Sequence, residues 1–263
     1  MKLEVLRKLA KKKTNQPPLL FIHGAAGGAW YFKHFLSYFS NHGYDCYALS
    51  LRGHGKSEGY EDIDTYRLDD YVSDVKSVVS ILKKKPILIG HSMGGAITQR
   101  FISDYQDEIH AAILLSSAEA GGIDKDSHLG LFFNDTRDFL RKLKKENPNE
   151  KITLDHLLNQ TIFSNRMNPT ELSEIRKRLT KESSLVKKDL LEPFIDDYTR
   201  ITIPIGVIGS KDDMIIDESK IMKTASAFNV APIILNDLCH FLTIDPNWEN
   251  AAHAILVTIR SFK

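Results

Sequence analysis

The sequence predicts an α/β protein in which a mostly parallel central sheet carries helices on both faces. Short apolar runs bounded by turn residues recur along the chain. Segments with helical spacing lie between them and are long enough to return the chain for the next parallel strand. A single stretch, 119–200, breaks this rhythm with charged segments of helical spacing and no strand-like run.

The strand candidates are 18–22, 44–49, 86–89, 112–115, 205–208 and 232–235. Helices are expected at 30–41, 68–82, 94–105, 219–228 and 248–262. The pattern from Leu3 to Leu9 fits either an edge strand or a short helix. Asn168-Pro169-Thr170-Glu171 reads as a helix start, with Asn168 as cap and proline at the first helical position. Asp245-Pro246 is expected to begin the last helix in the same way. The division predicted is a core formed by 1–118 and 201–263, with 119–200 as a helical cap inserted into it.

An apolar fraction of 42% and a charged fraction of 26% are ordinary for a globular protein, and 35 basic against 34 acidic residues leave almost no net field. Nucleic acid is therefore not an expected partner. The lysine triplets at 11–13 and 83–85 are short and sit beside predicted strands, so they read as solvated loop or helix ends. No apolar stretch reaches the length of a signal peptide or an integral membrane segment, which makes a cytoplasmic location the expectation. Cys46 and Cys239 are the two cysteines, too few for a disulfide framework. Cys239 precedes a histidine of interest, so a reactive thiol there has to be considered.

The chemistry centres on Gly90-His91-Ser92-Met93-Gly94-Gly95, directly after one predicted strand and directly before a predicted helix. Glycines two before and two after a serine let a strand turn sharply into a helix and leave the hydroxyl exposed at the strand end. The helix then points its positive end at the place where negative charge develops. A serine hydroxyl needs a base within hydrogen-bond reach and a carboxylate to orient that base. His240, in Asn236-Asp237-Leu238-Cys239-His240-Phe241, follows the last predicted strand and supplies the base. Gly209-Ser210-Lys211-Asp212-Asp213 follows the strand before it and supplies adjacent carboxylates, with Asp237 nearby. Asp212 is favoured as the acid, leaving Asp213 solvated or capping the next helix. His253 sits in a helical context, and His91 should point away from the serine beside it.

A tetrahedral oxyanion also needs backbone N–H donors. The elbow offers Met93. The second donor is assigned to Ala25 in the glycine-rich loop His23-Gly24-Ala25-Ala26-Gly27-Gly28, which lacks the lysine of a phosphate loop and the spacing of a dinucleotide site.

These blocks, with Leu51-Arg52-Gly53-His54-Gly55-Lys56-Ser57, resemble the α/β-hydrolase superfamily, and within it the lysophospholipase, monoglyceride-lipase and carboxylesterase group. The resemblance covers about 18–118 and 203–260. In such proteins the acid is the fourth residue of a Gly-x-x-Asp run, which supports Asp212, and His240 matches the histidine of a His-Phe step. Ser50 and Cys239 depart from the pattern, where aspartate and glycine are common. Arg52 and His54 are expected to order a loop. The insertion matches the family's variable cap, and Trp30, Leu131, Phe132 and Phe133 are the candidate substrate-binding residues.

The expected function is hydrolysis of a small-molecule carboxylic ester with a small or medium acyl chain, through an acyl-enzyme on Ser92. The same triad could serve a thioesterase, a carbon–carbon bond hydrolase, a perhydrolase or a lyase, or a receptor with slow turnover. This chemistry calls for no metal and no cofactor, and the scattered histidines show no metal-binding spacing. Nothing in the pattern specifies an oligomeric state.

Overall fold

The computed structural model describes residues 1–12, 14–135, 141, 144, 145 and 161–262. Seven strands form one sheet: β1 (Glu4–Lys8), β2 (Leu19–Ile22), β3 (Cys46–Ser50), β4 (Ile87–His91), β5 (Ala111–Leu115), β6 (Ile205–Ser210) and β7 (Ile233–Leu235). Their spatial order is β1-β3-β2-β4-β5-β6-β7. All neighbours are parallel except β1, which runs antiparallel to β3 on the edge. The undecided Leu3–Leu9 segment is therefore an edge strand, half-buried from Glu4 to Leu6 and exposed at Arg7 and Lys8.

The central strands are apolar and buried along their length because helices cover both faces. The two-residue period of a strand divides them between two cores. Leu20, Ile22, Leu88 and Leu114 face α2 (Leu68–Ile81), α3 (Met93–Tyr105) and α7 (Glu218–Ala227), meeting Tyr71, Val75, Phe101 and Ile221. Leu19, Phe21, Ile89 and Ile113 face α1 (Lys33–Asn41) and α8 (Trp248–Ser261), meeting Phe35, Phe39, Ile255 and Ile259.

Between β5 and β6 the described residues form α4 (His128–Asn134), α5 (Pro169–Arg178) and α6 (Ser184–Asp189). Asn168 caps α5 as expected, its side chain accepting from the Thr170 N–H at 2.8 Å. The last helix lies where its spacing predicts, but Asp245-Pro246 does not begin it. It starts at Trp248, and Asp245 is instead buried in the preceding turn, where its carboxylate accepts the N–H groups of Cys239 at 3.1 Å and Asn247 at 2.8 Å.

Sheet order positions the site. Strand β2 lies between β3 and β4, with Ile22 in register with Gly90, so the loop after β2 and the turn after β4 emerge side by side at the carboxyl ends of the strands. In a doubly wound sheet this switch point is where a crevice opens.

The turn after β4 leaves no room for side chains at its glycines. A Cβ on Gly90 would lie 2.2 Å from the Gly94 carbonyl oxygen, and one on Gly94 would lie 2.2 Å from that of Ile22. We expect Gly94→Ala to cost more than about 4 kcal/mol or to prevent folding, since backbone itself would have to move. Gly121→Ala meets no atom within 4 Å and strains only a backbone at φ 84°, so its expected cost is about 1 to 2 kcal/mol. Denaturant unfolding of the two variants measures the contrast.

Candidate active site

Ser92 occupies the hinge between β4 and α3 at φ 54°, ψ −119°, a conformation that L-residues rarely adopt. The chain reverses there so abruptly that the Ser92 side chain stands clear of both elements. Its Oγ lies 2.9 Å from Nε2 of His240. The other ring nitrogen, Nδ1, lies 2.9 Å from Oδ2 and 3.1 Å from Oδ1 of Asp213. A carboxylate only accepts, so Nδ1 carries hydrogen, and Nε2 faces the serine hydroxyl.

The carboxylate at His240 is thus Asp213, and the expectation of Asp212 is corrected. After β6 the chain makes a tight turn, the Asp213 N–H donating to the Ser210 carbonyl at 3.3 Å. The turn sends the Asp213 side chain inward, where Oδ1 also accepts from the Ile215 and Ile216 N–H groups at 2.8 and 2.9 Å. Asp212 points to the surface and accepts from the Asp237 N–H at 2.6 Å. Burial pushes the Asp213 carboxyl pKa up, but His240 and the two backbone donors outweigh it and hold the group below its ordinary value.

The loop carrying His240 is anchored from behind. Asp245 holds the Cys239 N–H, and Arg166 bridges the Asp245 carboxylate at 3.2 Å and the Asp237 carbonyl at 2.7 Å. His91 does point away from the serine, and its Nε2–H donates to the His240 carbonyl at 2.8 Å. Burial and the neighbouring His240 ring lower the His91 pKa to about 3, so it stays neutral. Cys239 is buried, and burial together with Asp245 pushes its thiol up, so it is poorly suited to react as a thiolate.

The loop after β2 packs directly on the serine. A Cβ on Gly24 would sit 2.9 Å from that of Ser92, so only glycine permits this approach. His23 holds the loop on the sheet, its Nδ1–H donating to the Gly24 carbonyl at 2.7 Å while Nε2 accepts from the Leu51 N–H at 3.1 Å. Burial and His54 lower its pKa to about 3. The N–H groups of Ala25 and Met93 find no acceptor among the described residues.

Arg52 lies in the loop after β3, with its guanidinium on Asp74 at 2.8 Å and Asp70 at 2.7 Å. His54 donates Nδ1–H to the Arg52 carbonyl at 3.0 Å and meets the carboxylate of Glu182 at 3.1 Å through Nε2. Both ring nitrogens face acceptors, so His54 is an imidazolium. Burial lowers its pKa, but Glu182 more than compensates and the value is raised. Burial likewise opposes ionisation of Glu182, yet His54 and the surrounding donors bring its pKa down to about 2. No sequence spacing pointed to Glu182, whose partners His54, Tyr71 and Ala26 are far away along the chain.

Of the candidate substrate-binding residues, Trp30 and Phe133 pack against the cores on opposite faces of the sheet. Trp30 is half-buried beneath the Arg178 guanidinium, 5.2 Å from its ring centre. Leu131 is half-buried, Phe133 packs against the α2–α3 core, and the Phe132 side chain lies outside the described residues. A cavity of about 730 Å³ lies beside the cluster, with Phe163, Met167, Leu172, Arg176, Asp212 and Cys239 in its wall. Among the described residues of its wall there is neither Ser92 nor Trp30, Leu131 or Phe133.

A family profile described as "alpha/beta hydrolase fold" matches residues 17–246. The chain belongs to the α/β-hydrolase family. Among curated relatives of this family, "Protein ABHD8" of Mus musculus is 31% identical over 99 residues, which are 37% of this chain and 23% of that protein. The chain thus matches under a quarter of that relative's length. Solved α/β-hydrolase structures of similar fold include a thermophilic esterase from Thermogutta terrifontis, with TM-score 0.78 and 17% identity over 98% of this chain and 93% of that one. The Paleococcus ferrophilus monoacylglycerol lipase gives 0.73 and 20% over 99% of each chain. At these identities the structural likeness shows the fold alone. Among the described residues no helix is long and apolar enough to cross a membrane.

The protonation states fix a pH window for the Glu182–His54 pair. Glu182 is depressed from 4.5 to about 2, so its contribution to stability is complete above pH 4.5 and lost as pH falls toward 2. His54 is raised above 6.5, so its contribution is complete below that value and lost as pH rises through the folded-state pKa. The melting temperature of Glu182→Gln is expected to fall below that of the wild type by several degrees near pH 6. The gap should close as pH drops toward 2 to 3, and a gap that stays constant from pH 6 to 3 would contradict the assignment.

Proposed function

We propose that the protein is a serine hydrolase of carboxylic esters, with Ser92 as nucleophile, His240 as general base and acid, and Asp213 as the carboxylate that orients His240. The observation that carries this reading is the chain of contacts from Asp213 through Nδ1 and Nε2 of His240 to the Ser92 hydroxyl, each 2.9 Å at its closest.

In this reading His240 Nε2 takes the hydroxyl proton as Ser92 Oγ attacks the ester carbonyl carbon. The carbonyl oxygen becomes an oxyanion and accepts hydrogen bonds from the Ala25 and Met93 N–H groups, which have no competing partner among the described residues. Collapse of the tetrahedral intermediate expels the alcohol, and His240 protonates it. Water, deprotonated by the same nitrogen, then attacks the acyl-enzyme and releases the acid. Asp213 stabilises the imidazolium present in both steps.

The segment between β5 and β6 acts as the cap over this site. Support comes from Phe163, which packs on Phe241 with ring centres 5.0 Å apart, and from Thr180, whose N–H donates to the Ala26 carbonyl at 2.9 Å. Among the described residues the wall of the cavity beside the cluster is mostly uncharged, which suits a small or medium acyl or alcohol group better than a highly charged one.

A fluorophosphonate probe is expected to label the wild type and to leave Ser92→Ala unlabelled; labelling that persists in Ser92→Ala removes Ser92 from the mechanism. The two adjacent carboxylates give a second test. With a p-nitrophenyl ester, Asp213→Asn should lower kcat by about 10⁴. Asp212→Asn should stay within about threefold of wild type, as expected of a surface change that leaves the reacting groups in place. The reverse ranking would return the role to Asp212.

A further inference from the structure

Glu182 is a buried carboxylate that the reaction above does not use. Its side chain comes from the segment between β5 and β6 and enters the core between the loop after β2 and the loop after β3. Four donors converge on it: the His54 imidazolium at 3.1 Å, the Tyr71 hydroxyl at 2.8 Å, the Ser183 N–H at 2.9 Å and the Ala26 N–H at 3.0 Å.

A buried ion pair is weak grounds for stability, because desolvation offsets most of the attraction. What this pair does have is a fixed geometry aimed at one peptide. Ala26 stands at φ 60°, a left-handed conformation with no glycine to ease it. Its N–H is held by Glu182 and its carbonyl by the N–H of Thr180. Both polar groups of Ala26 are thereby fixed by residues from a different part of the chain. The Ala25 N–H lies one peptide upstream, so the direction in which it points follows from how Ala26 is held. On the opposite side of the pair, the neutral His23 ring lies 5.1 Å from that of His54, and Asp74 is occupied by Arg52. Those groups leave the carboxylate of Glu182 as the charged acceptor for the loop.

We propose that Glu182 is a positioning residue for the oxyanion hole: by clamping the Ala26 peptide from the inserted segment, it aims the Ala25 N–H at the oxygen that gains charge. This rests on the serine-hydrolase reading. It also makes a complete oxyanion hole depend on the inserted segment being docked on the core.

The test compares wild type, Glu182→Ala, Glu182→Gln and Ser92→Ala in the full chain. The readouts are kcat and KM for a p-nitrophenyl ester and inhibition by an alkyl trifluoromethyl ketone, which binds a catalytic serine as a tetrahedral oxyanion. Glu182→Ala is expected to lower kcat by about 30- to 100-fold, approaching the loss of one oxyanion donor. Ketone affinity should weaken by a similar factor while KM changes less than about threefold, because the interaction acts in the transition state. Glu182→Gln should recover most of both, since its amide oxygen can still accept from Ala26. Should Glu182→Ala fail to fold, Thr180→Pro removes the donor to the Ala26 carbonyl, and the residue before it is already extended and compatible with proline; it should lower kcat and ketone affinity together. A folded variant with wild-type kcat and ketone affinity, or one in which KM alone rises, overturns the role of Glu182 so long as Ser92→Ala abolishes turnover. Turnover that survives Ser92→Ala overturns the role of Glu182 and the hydrolase reading together.

Discussion

The sharp reversal at Ser92 is the constraint on which the rest of the site depends. A non-glycine residue at φ 54° carries strain, and it persists because β4, α3 and the end of β2 leave the backbone no other path. Gly90 and Gly94 each have backbone oxygen where a Cβ would go, so the close packing that forces the turn is itself made possible by glycine. The sheet order then puts the remaining groups within reach: the loop after β2 on one side of the serine, and the loops after β6 and β7 on the other.

Around that turn, what faces each ring nitrogen sets apart four buried histidines. His23 and His91 each give a proton to a backbone carbonyl, have no carboxylate in contact and are kept neutral by burial. His54 lies between a carbonyl and a carboxylate and is charged. His240 lies between a carboxylate and a hydroxyl, the one arrangement of the four in which a proton can be taken up at Nε2. The neutral rings serve as braces, His23 on the Gly24 carbonyl and His91 on the backbone of His240. A charge on either would be unpaired in a dry interior and would loosen the loop it braces.

The sheet and most of its helices were legible in the sequence because apolar runs and helical spacing are local properties. Ser92 and His240 were legible for a related reason: the elbow is a contiguous motif, and His240 is placed by the strand before it. The carboxylate that meets His240 was not, since Asp212 and Asp213 are neighbours and the turn that separates them depends on hydrogen bonds that spacing does not encode. A local signal did exist: Asp213 precedes Met214-Ile215-Ile216 and accepts from the last two N–H groups, the pattern of a carboxylate capping its own turn. Asp245 misled because Asp-Pro before a helical run looks like a cap, whereas here the carboxylate is spent on Cys239, Arg166 and Asn247. Glu182 had no signal at all, since its contacts form only where the segment between β5 and β6 returns to meet Ala26 and His54.

The account requires a covalent acyl group on Ser92. Reaction with p-nitrophenyl butyrate, quenched in acid and followed by peptide mass spectrometry, should find one butyryl group on the peptide that holds Ser92. Absence of an adduct during steady turnover, or its appearance on Cys239 instead, would contradict it.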